Sequence, residues 1–296
     1  MKKHAYLIIA HTQFELLKIL LECLDYEFND IFIHIDQKVD NFDEEEFRKI
    51  CKKSNVIFLK DRISVTWGDF SQIKCELDLL DEATKNNKYQ YYHLMSGVDL
   101  PLKTQEEIHG FFSQYKGKEF VHFENIEVSE RELKKVNKYH FIIKKNKNFI
   151  EKCIYKISMV FQCFTDRSRK YGIKYQKGAN WFSITDEFAR YILQKRELIH
   201  KVFKRTYCAD EFFVQTLLYE SPYIENLYNQ SFNDDYSSIQ YFIDWERGNP
   251  YEFDDNDYDL LIKSDMLFAR KFNYDKSQNL IQRIRLKIKG DDCSEK

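Results

Sequence analysis

No apolar run in this sequence approaches the ~20 consecutive residues that a membrane-spanning helix requires. The opening, Met1-Lys2-Lys3 followed by Tyr6-Leu7-Ile8-Ile9-Ala10, has the outline of a signal peptide, but the apolar stretch is short and Thr12-Gln13-Phe14-Glu15 ends it, as after a first buried strand. Excess charge of either sign is missing too. The 46 basic and 48 acidic residues leave a formal charge of -2, so no overall basic field exists to hold a polyphosphate backbone, and nucleic acid is not an expected partner. Seven cysteines, an odd number, form no CxxC pair and no zinc-site spacing with histidine. They read as structural thiols of a reducing compartment, neither a disulfide framework nor a metal site. Gly172, Gly178 and Gly248 build no GxGxxG or GKS/GKT phosphate cradle, and no GxSxG elbow marks a hydrolase. A cytoplasmic location is expected, either free or peripheral to the inner membrane.

What is present is a large potential core, with 43% hydrophobic and 16% aromatic residues in a chain of 296. After the strand ending at Ala10, Glu15 to Leu24 carries apolar residues at helical spacing, and Asp30 to Asp36 returns to an extended apolar run. Asn55 to Leu59 predicts another strand, Ser71 to Lys85 a helix, and Tyr91 to Met95 a strand that ends in the loop Ser96 to Pro101. Alternation at this pace implies an α/β architecture with a mainly parallel sheet and helices on both faces, binding its ligand beyond the carboxyl ends of the strands. The polar strand ends His34-Ile35-Asp36 and Ser96 to Asp99 fall there. Residues 115 to 175 have weaker periodicity and predict an irregular insertion, a usual source of ligand-contacting loops. From Trp181 a strand, a helix near Glu187 to Gln194 and a second helix after Asp210-Glu211 are expected. The tail from Ser277 to Lys289 reads as a helix docked on the domain, with a membrane-surface helix as the alternative.

The sharpest chemical feature is Tyr207-Cys208-Ala209-Asp210-Glu211-Phe212-Phe213, two adjacent carboxylates ahead of an apolar helical run. At a helix N-terminus the dipole and free amides favour the ionised form, which suits a carboxylate to accept a proton. Acids there commonly serve only as caps, and the local sequence favours capping. For transfer from a nucleotide sugar, charge growing on the departing diphosphate must be met by a metal on a DxD motif or by fixed cations. The Ser96 to Asp99 loop holds a single acid, and Asp255-Asn256-Asp257 and Asp257-Tyr258-Asp259 read as a solvated acidic loop. Phe268-Ala269-Arg270-Lys271-Phe272 offers two cations between aromatics. Trp67, Trp181 and Trp245 are candidates for stacking on a base or sugar, though each reads individually as core, and His11 and His34 read as satisfied structural histidines.

Seven blocks run in order along the chain: His4 to His11, Ile33 to Asp36, Val65 to Ser71, Tyr92 to Thr104, Gly178 to Phe182, Asp210-Glu211, and Leu267 to Phe272. Together they resemble the core-2/I-branching β-1,6-N-acetylglucosaminyltransferase family (glycosyltransferase family 14), which includes the peptide O-xylosyltransferases, and the chain looks like a bacterial member. The resemblance implies a single Rossmann-like GT-A domain over residues 1 to 296, with a nucleotide-binding half to about residue 110 and an acceptor and catalytic half, ending in the C-terminal helix, from 111. It implies transfer with inversion from a UDP-sugar, N-acetylglucosamine or xylose, to a hydroxyl of a glycan or lipid-linked glycan, with no metal or other cofactor.

By the same resemblance Glu211 matches the catalytic base and Asp210 precedes it in the motif. Lys271 matches a lysine on the donor diphosphate, and Asp36 a position near the nucleoside. His11, Trp67 and Asp99 complete the expected donor side. Where family members carry an arginine partner for that lysine this chain has Gly248, leaving Arg247 or Arg270 as substitutes. Glu124 and Trp181 are expected on the acceptor side, with Lys135 and Tyr139 in the same region. Two rival readings remain: a noncatalytic nucleotide- or glycan-binding module on the same fold, and a glycoside hydrolase. Adjacent acids on one turn fit the latter poorly, since its two carboxyls stand roughly 5 to 10 Å apart across the bond.

Overall fold

The computed structural model describes residues 2–85, 87–143 and 147–290. Strand β1 (His4–Ala10) is followed by α1 (Phe14–Leu24), β2 (Asn29–Ile35), α2 (Glu44–Arg48), β3 (Asn55–Phe58), α3 (Ser71–Thr84), β4 (Tyr91–Ser96), β5 (Leu100–Pro101), α4 (Gln105–Gln114) and β6 (Phe120–Val121). Then come α5 (Glu130–Asn137), α6 (Phe149–Phe161), α7 (Arg167–Tyr171), β7 (Phe182–Thr185), α8 (Asp186–Gln194), α9 (Arg196–Phe203) and α10 (Phe213–Tyr219). The chain closes with β8 (Tyr241–Ile243), α11 (Tyr258–Lys263), β9 (Phe268–Arg270) and α12 (Gln278–Lys289).

The main sheet has the order β3-β2-β1-β4-β7-β6. Its first four strands are parallel, with Ile8 opposite both Ile33 and Met95, and β7 and β6 add antiparallel at one edge. Because side chains alternate across a strand, the sheet divides two cores. Tyr6, Ile8, Ile31, Ile33 and Met95 pack on one face with α1 and α12, while Ala5, Leu7, Phe32 and Leu94 pack on the other against α3, α8 and α10. The α/β architecture with helices on both faces is therefore present as expected.

Several local readings change. Leu100–Pro101, expected as loop, is a strand of a second sheet ordered β5-β9-β8, in which Leu100 lies opposite Ala269. Residues 115 to 175 are more regular than expected, holding β6, α5, α6 and α7. The acidic stretch after Phe253 is not simply solvated: an Asp255 oxygen accepts the Leu280 amide at 2.8 Å, and buried Asp257 takes the Arg247 guanidinium at 2.8 Å. The tail helix is docked. Leu280, Ile281, Ile284 and Ile288 of α12 are buried in the core that α1 shares, and Arg285 pairs with Glu22. Six cysteines lie among the described residues, and all are free thiols. No helix among the described residues is long and apolar enough to cross a membrane.

Candidate active site

The Asp210-Glu211 pair sits on a single 3-10 turn, Ala209–Glu211, entered through Cys208 in a left-handed conformation (φ 50°). Helix α10 begins after it with Phe212 as N-cap and no side-chain cap, so capping does not account for the two acids. Three segments hold this turn. The Cys208 amide donates to the Gly68 carbonyl at 2.9 Å, the Tyr207 amide to the Lys135 carbonyl at 3.3 Å, and the Glu211 carbonyl accepts from Gly178 at 3.0 Å. Gly178 lies so close to the strand beside it that a Cβ there would stand 1.8 Å from the His122 carbonyl oxygen.

The two carboxylates have different surroundings. Asp210 is buried, with one oxygen accepting from Gln72 Nε2 at 3.1 Å and the other enclosed without a partner. Burial, and then the charge of Glu211, push its pKa up to about 7. Glu76, one turn after Gln72 on α3, is fully buried and raised well above the carboxylate range by burial and by Asp210. Glu211 instead keeps 34% of its side chain exposed, 3.6 Å from Lys177 Nζ and 3.8 Å from Lys135 Nζ. Burial raises its pKa, and the two ammonium groups hold part of that rise back.

Around Glu211 the two lysines and two further glutamates interlock. Lys177 hydrogen-bonds Glu124 and lies 3.6 Å from Glu132, which takes Lys135 at 2.6 Å. Burial presses the Lys177 pKa down, but the Glu124 hydrogen bond and the charges of Glu211, Glu124 and Glu132 raise it overall. Lys177 is thereby fixed as a cation beside Glu211. Such a network keeps the glutamate ionised yet more basic than in water, which suits a general base. Beside it the Trp67 ring, 58% exposed, stands edge-on to Tyr207 at 5.7 Å.

The expected donor residues His11, Asp36, Asp99, Arg270 and Lys271 lie at the carboxyl ends of β1, β2, β4 and β9. Asp99 is fully buried and binds Arg270 Nη1 at 2.7 Å, while its second oxygen accepts the Ser96 amide at 2.8 Å. The Arg270 guanidinium also lies 4.3 Å over the Trp181 ring. The Phe272 amide donates to the Val98 carbonyl at 3.0 Å and the Tyr274 amide to Gln13 Oε1 at 2.8 Å, so the loops of His11, Asp99 and Lys271 are tied together. His11 is exposed there. Asp36 uses both oxygens on backbone, the Lys38 amide at 2.8 Å and the Val65 amide at 3.1 Å, and so braces the loop that carries Trp67. Lys271 stands 3.4 Å from Glu252.

The structure also gives the reason for the missing arginine. A Cβ at Gly248 would lie 2.6 Å from the Tyr251 Cα, so the chain fold leaves no room for a side chain. Arg247 is drawn away by Asp244 at 2.5 Å and Asp257 at 2.8 Å, over the Tyr251 ring at 4.1 Å. Both candidate substitutes, Arg247 and Arg270, are thus engaged by carboxylates. Sequence reasoning missed Lys177, Glu132, Gln72 and Glu76. Lys177 was within reach, since it immediately precedes the Gly178 to Phe182 block, whereas Glu76 looks in sequence like any polar residue of a helix.

The chain is 22% identical over 305 residues to xylosyltransferase 2 of Rattus norvegicus, covering 97% of this chain and 34% of that protein. It is 23% identical over 285 residues to xylosyltransferase oxt of Drosophila melanogaster, covering 89% and 31%. It therefore spans about a third of the length of these relatives. Mouse xyloside xylosyltransferase 1 in its apo form aligns over 91% of this chain and 97% of that one with a TM-score of 0.38 and 8% identity. The model of the core-2/I-branching enzyme family matches residues 4–266, and the chain belongs to that family.

Proposed function

We propose that this protein is an inverting, metal-independent glycosyltransferase that moves a sugar, N-acetylglucosamine or xylose, from a UDP-sugar to a hydroxyl of a glycan acceptor, with Glu211 as general base. The observation that carries this is the setting of Glu211: a half-open carboxylate, raised by burial and held between Lys135 and Lys177, at the position that the sequence resemblance matches to the base. In the reaction the acceptor oxygen attacks the anomeric carbon as Glu211 takes its proton. The bond from that carbon to the UDP oxygen breaks on the opposite side, and the departing diphosphate carries away the negative charge. Asp210, shut in beneath the turn and raised to about 7, supports Glu211 without meeting substrate.

On the donor side Lys271 is the cation for the diphosphate, with the exposed His11 beside it. Asp99 and Arg270 act as a buried brace for that loop, and Trp181 carries Arg270 on its ring. That the acid of the Ser96 loop is already taken by an arginine supports a metal-free reading of this site. Trp67 offers an open ring beside Glu211, and Glu124 and Lys177 offer polar atoms to the acceptor.

The test is release of UDP from UDP-N-acetylglucosamine and UDP-xylose with a glycan acceptor in EDTA. Glu211→Gln should lose about 10² to 10⁴ in turnover while still binding UDP. Full activity of that variant would remove the assignment. A noncatalytic binding module is the second reading, favoured by the engagement of both arginines and the closed position at Gly248. Tight UDP binding without UDP release from any donor would select it.

A further inference from the structure

Helix α6 contradicts the usual amphipathic arrangement. It is 13 residues long with no buried residue, and its apolar side chains face outward. Phe149, Ile150, Ile154, Ile157, Phe161 and Phe164 are between 50% and 98% exposed. Spaced three, four and seven apart, they form one stripe rather than scattered single residues, a concentration that soluble surfaces rarely leave open.

The charge around the stripe is mainly basic. Lys152 and Lys156 are exposed along one margin of the helix, and Arg169, Lys170 and Lys174 are exposed in the segment that follows. The one acid within the helix, Glu151, is drawn into the capping box with Asn148. Of the other acids beside this segment, Asp166 caps α7 through the Arg169 amide, and Glu220 accepts the Lys174 amide at 2.9 Å. This local excess stands out in a chain whose formal charge is -2. An apolar stripe edged by lysines matches an anionic bilayer, where rings and branched side chains enter the boundary of headgroup and acyl chain while ammonium groups meet lipid phosphates.

The helix is also coupled to the site. The Tyr155 hydroxyl of α6 lies 3.4 Å from His140 Nδ1, and the His140 ring packs 5.9 Å from Tyr207, which precedes the Asp210-Glu211 turn. The other surface helix considered from sequence, α12, buries Leu280, Ile281, Ile284 and Ile288 and, with Leu286 its single exposed apolar residue, leaves no such stripe.

We infer that the outward face of α6 and the turn after it, from Phe149 to Phe164, docks this protein on an anionic lipid surface. Bound there, the chain holds the rim of Glu211 near the bilayer, in reach of an acceptor glycan carried on a lipid. That last consequence rests on the transferase reading, whereas the docking does not. It is read without substrate, by co-sedimentation of the full chain with phosphatidylglycerol-containing vesicles and with pure phosphatidylcholine vesicles. Binding is expected to the anionic vesicles and to fall roughly tenfold on the neutral ones. I157E/F161E, at two exposed positions, should lower anionic-vesicle binding by roughly tenfold or more with an unchanged circular dichroism spectrum. K152E/K156E, which leaves the stripe intact, should remove the preference for anionic lipid. Failure of the wild type to bind anionic vesicles, or equal binding by I157E/F161E, overturns the inference. A dimer in solution that I157E/F161E dissolves, with no vesicle binding, would assign the face to a second copy of the chain instead.

Discussion

The amide of Gly178 donates to the carbonyl of Glu211 at 3.0 Å, and the same glycine lies against the His122 carbonyl with no space for a methyl group. The position of the proposed base is therefore set by a close approach of three backbone segments. Gly178→Ala must push the segment leading into β7 away from residue 122, and Glu211 with it. The expected cost is on the order of 2 kcal/mol in a denaturant titration, accompanied by loss of transfer. An unchanged midpoint would show that the contact relaxes freely.

Lys177 governs the protonation of Glu211. Its charge lowers a pKa that burial raises, so Lys177→Met should move the acidic limb of the kcat/KM profile to higher pH, because Glu211 then holds its proton more tightly. The rate well above that limb should change less. A limb that stays in place would mean that another group titrates.

Asp210 gives a stability signature of its own. Its folded pKa is raised from 3.8 to about 7, so the folded state holds a proton that the unfolded chain releases. That contribution is fully present below 3.8 and is lost as pH rises through about 7. Asp210→Asn, which never ionises, should therefore gain stability relative to the wild type across that interval, with the gain levelling off above it. Urea midpoints of both proteins at about pH 5 and about pH 8 make the comparison. A constant difference would place the Asp210 pKa near its ordinary value.

The Asp99–Arg270 pair is a brace only if its loss is a loss of stability. Arg270→Ala leaves a buried carboxylate without its cation and should cost about 3 to 5 kcal/mol, whereas the neutral pair Asp99→Asn with Arg270→Met should recover much of it. Thermal denaturation of the wild type and the two variants decides the point. If Arg270→Ala keeps its stability but loses UDP binding in calorimetry, Arg270 belongs to the donor site.

Much of the sheet was legible because β1, β2 and β4 alternate side chains between two cores, which leaves continuous apolar runs such as Tyr6-Leu7-Ile8-Ile9. The antiparallel edge was not legible, because a four-residue strand such as Phe182–Thr185 has the same period in either direction. Helix α6 escaped notice for another reason: its stripe faces away from the core, so periodicity pointed to no packing partner. Within the site, motif spacing identified Glu211 and its neighbour but carried no information on their surroundings. Asp99 and Arg270 are separated by 171 positions, and Lys177 and Glu124 by 53, so only the folded chain makes them pairs.

The docking of α12 on α1 has a consequence for synthesis. Leu280, Ile281, Ile284 and Ile288 complete the core to which Leu16, Leu17 and Leu20 belong, so this face of the first strands stays uncovered while the chain emerges from the ribosome. The parallel sheet can begin to assemble early, but its apolar face waits until α12, far downstream of α1, has been translated. Premature termination between β9 and α12 would therefore release a protein with a nearly complete crevice and an open core, a substrate for chaperones and proteases.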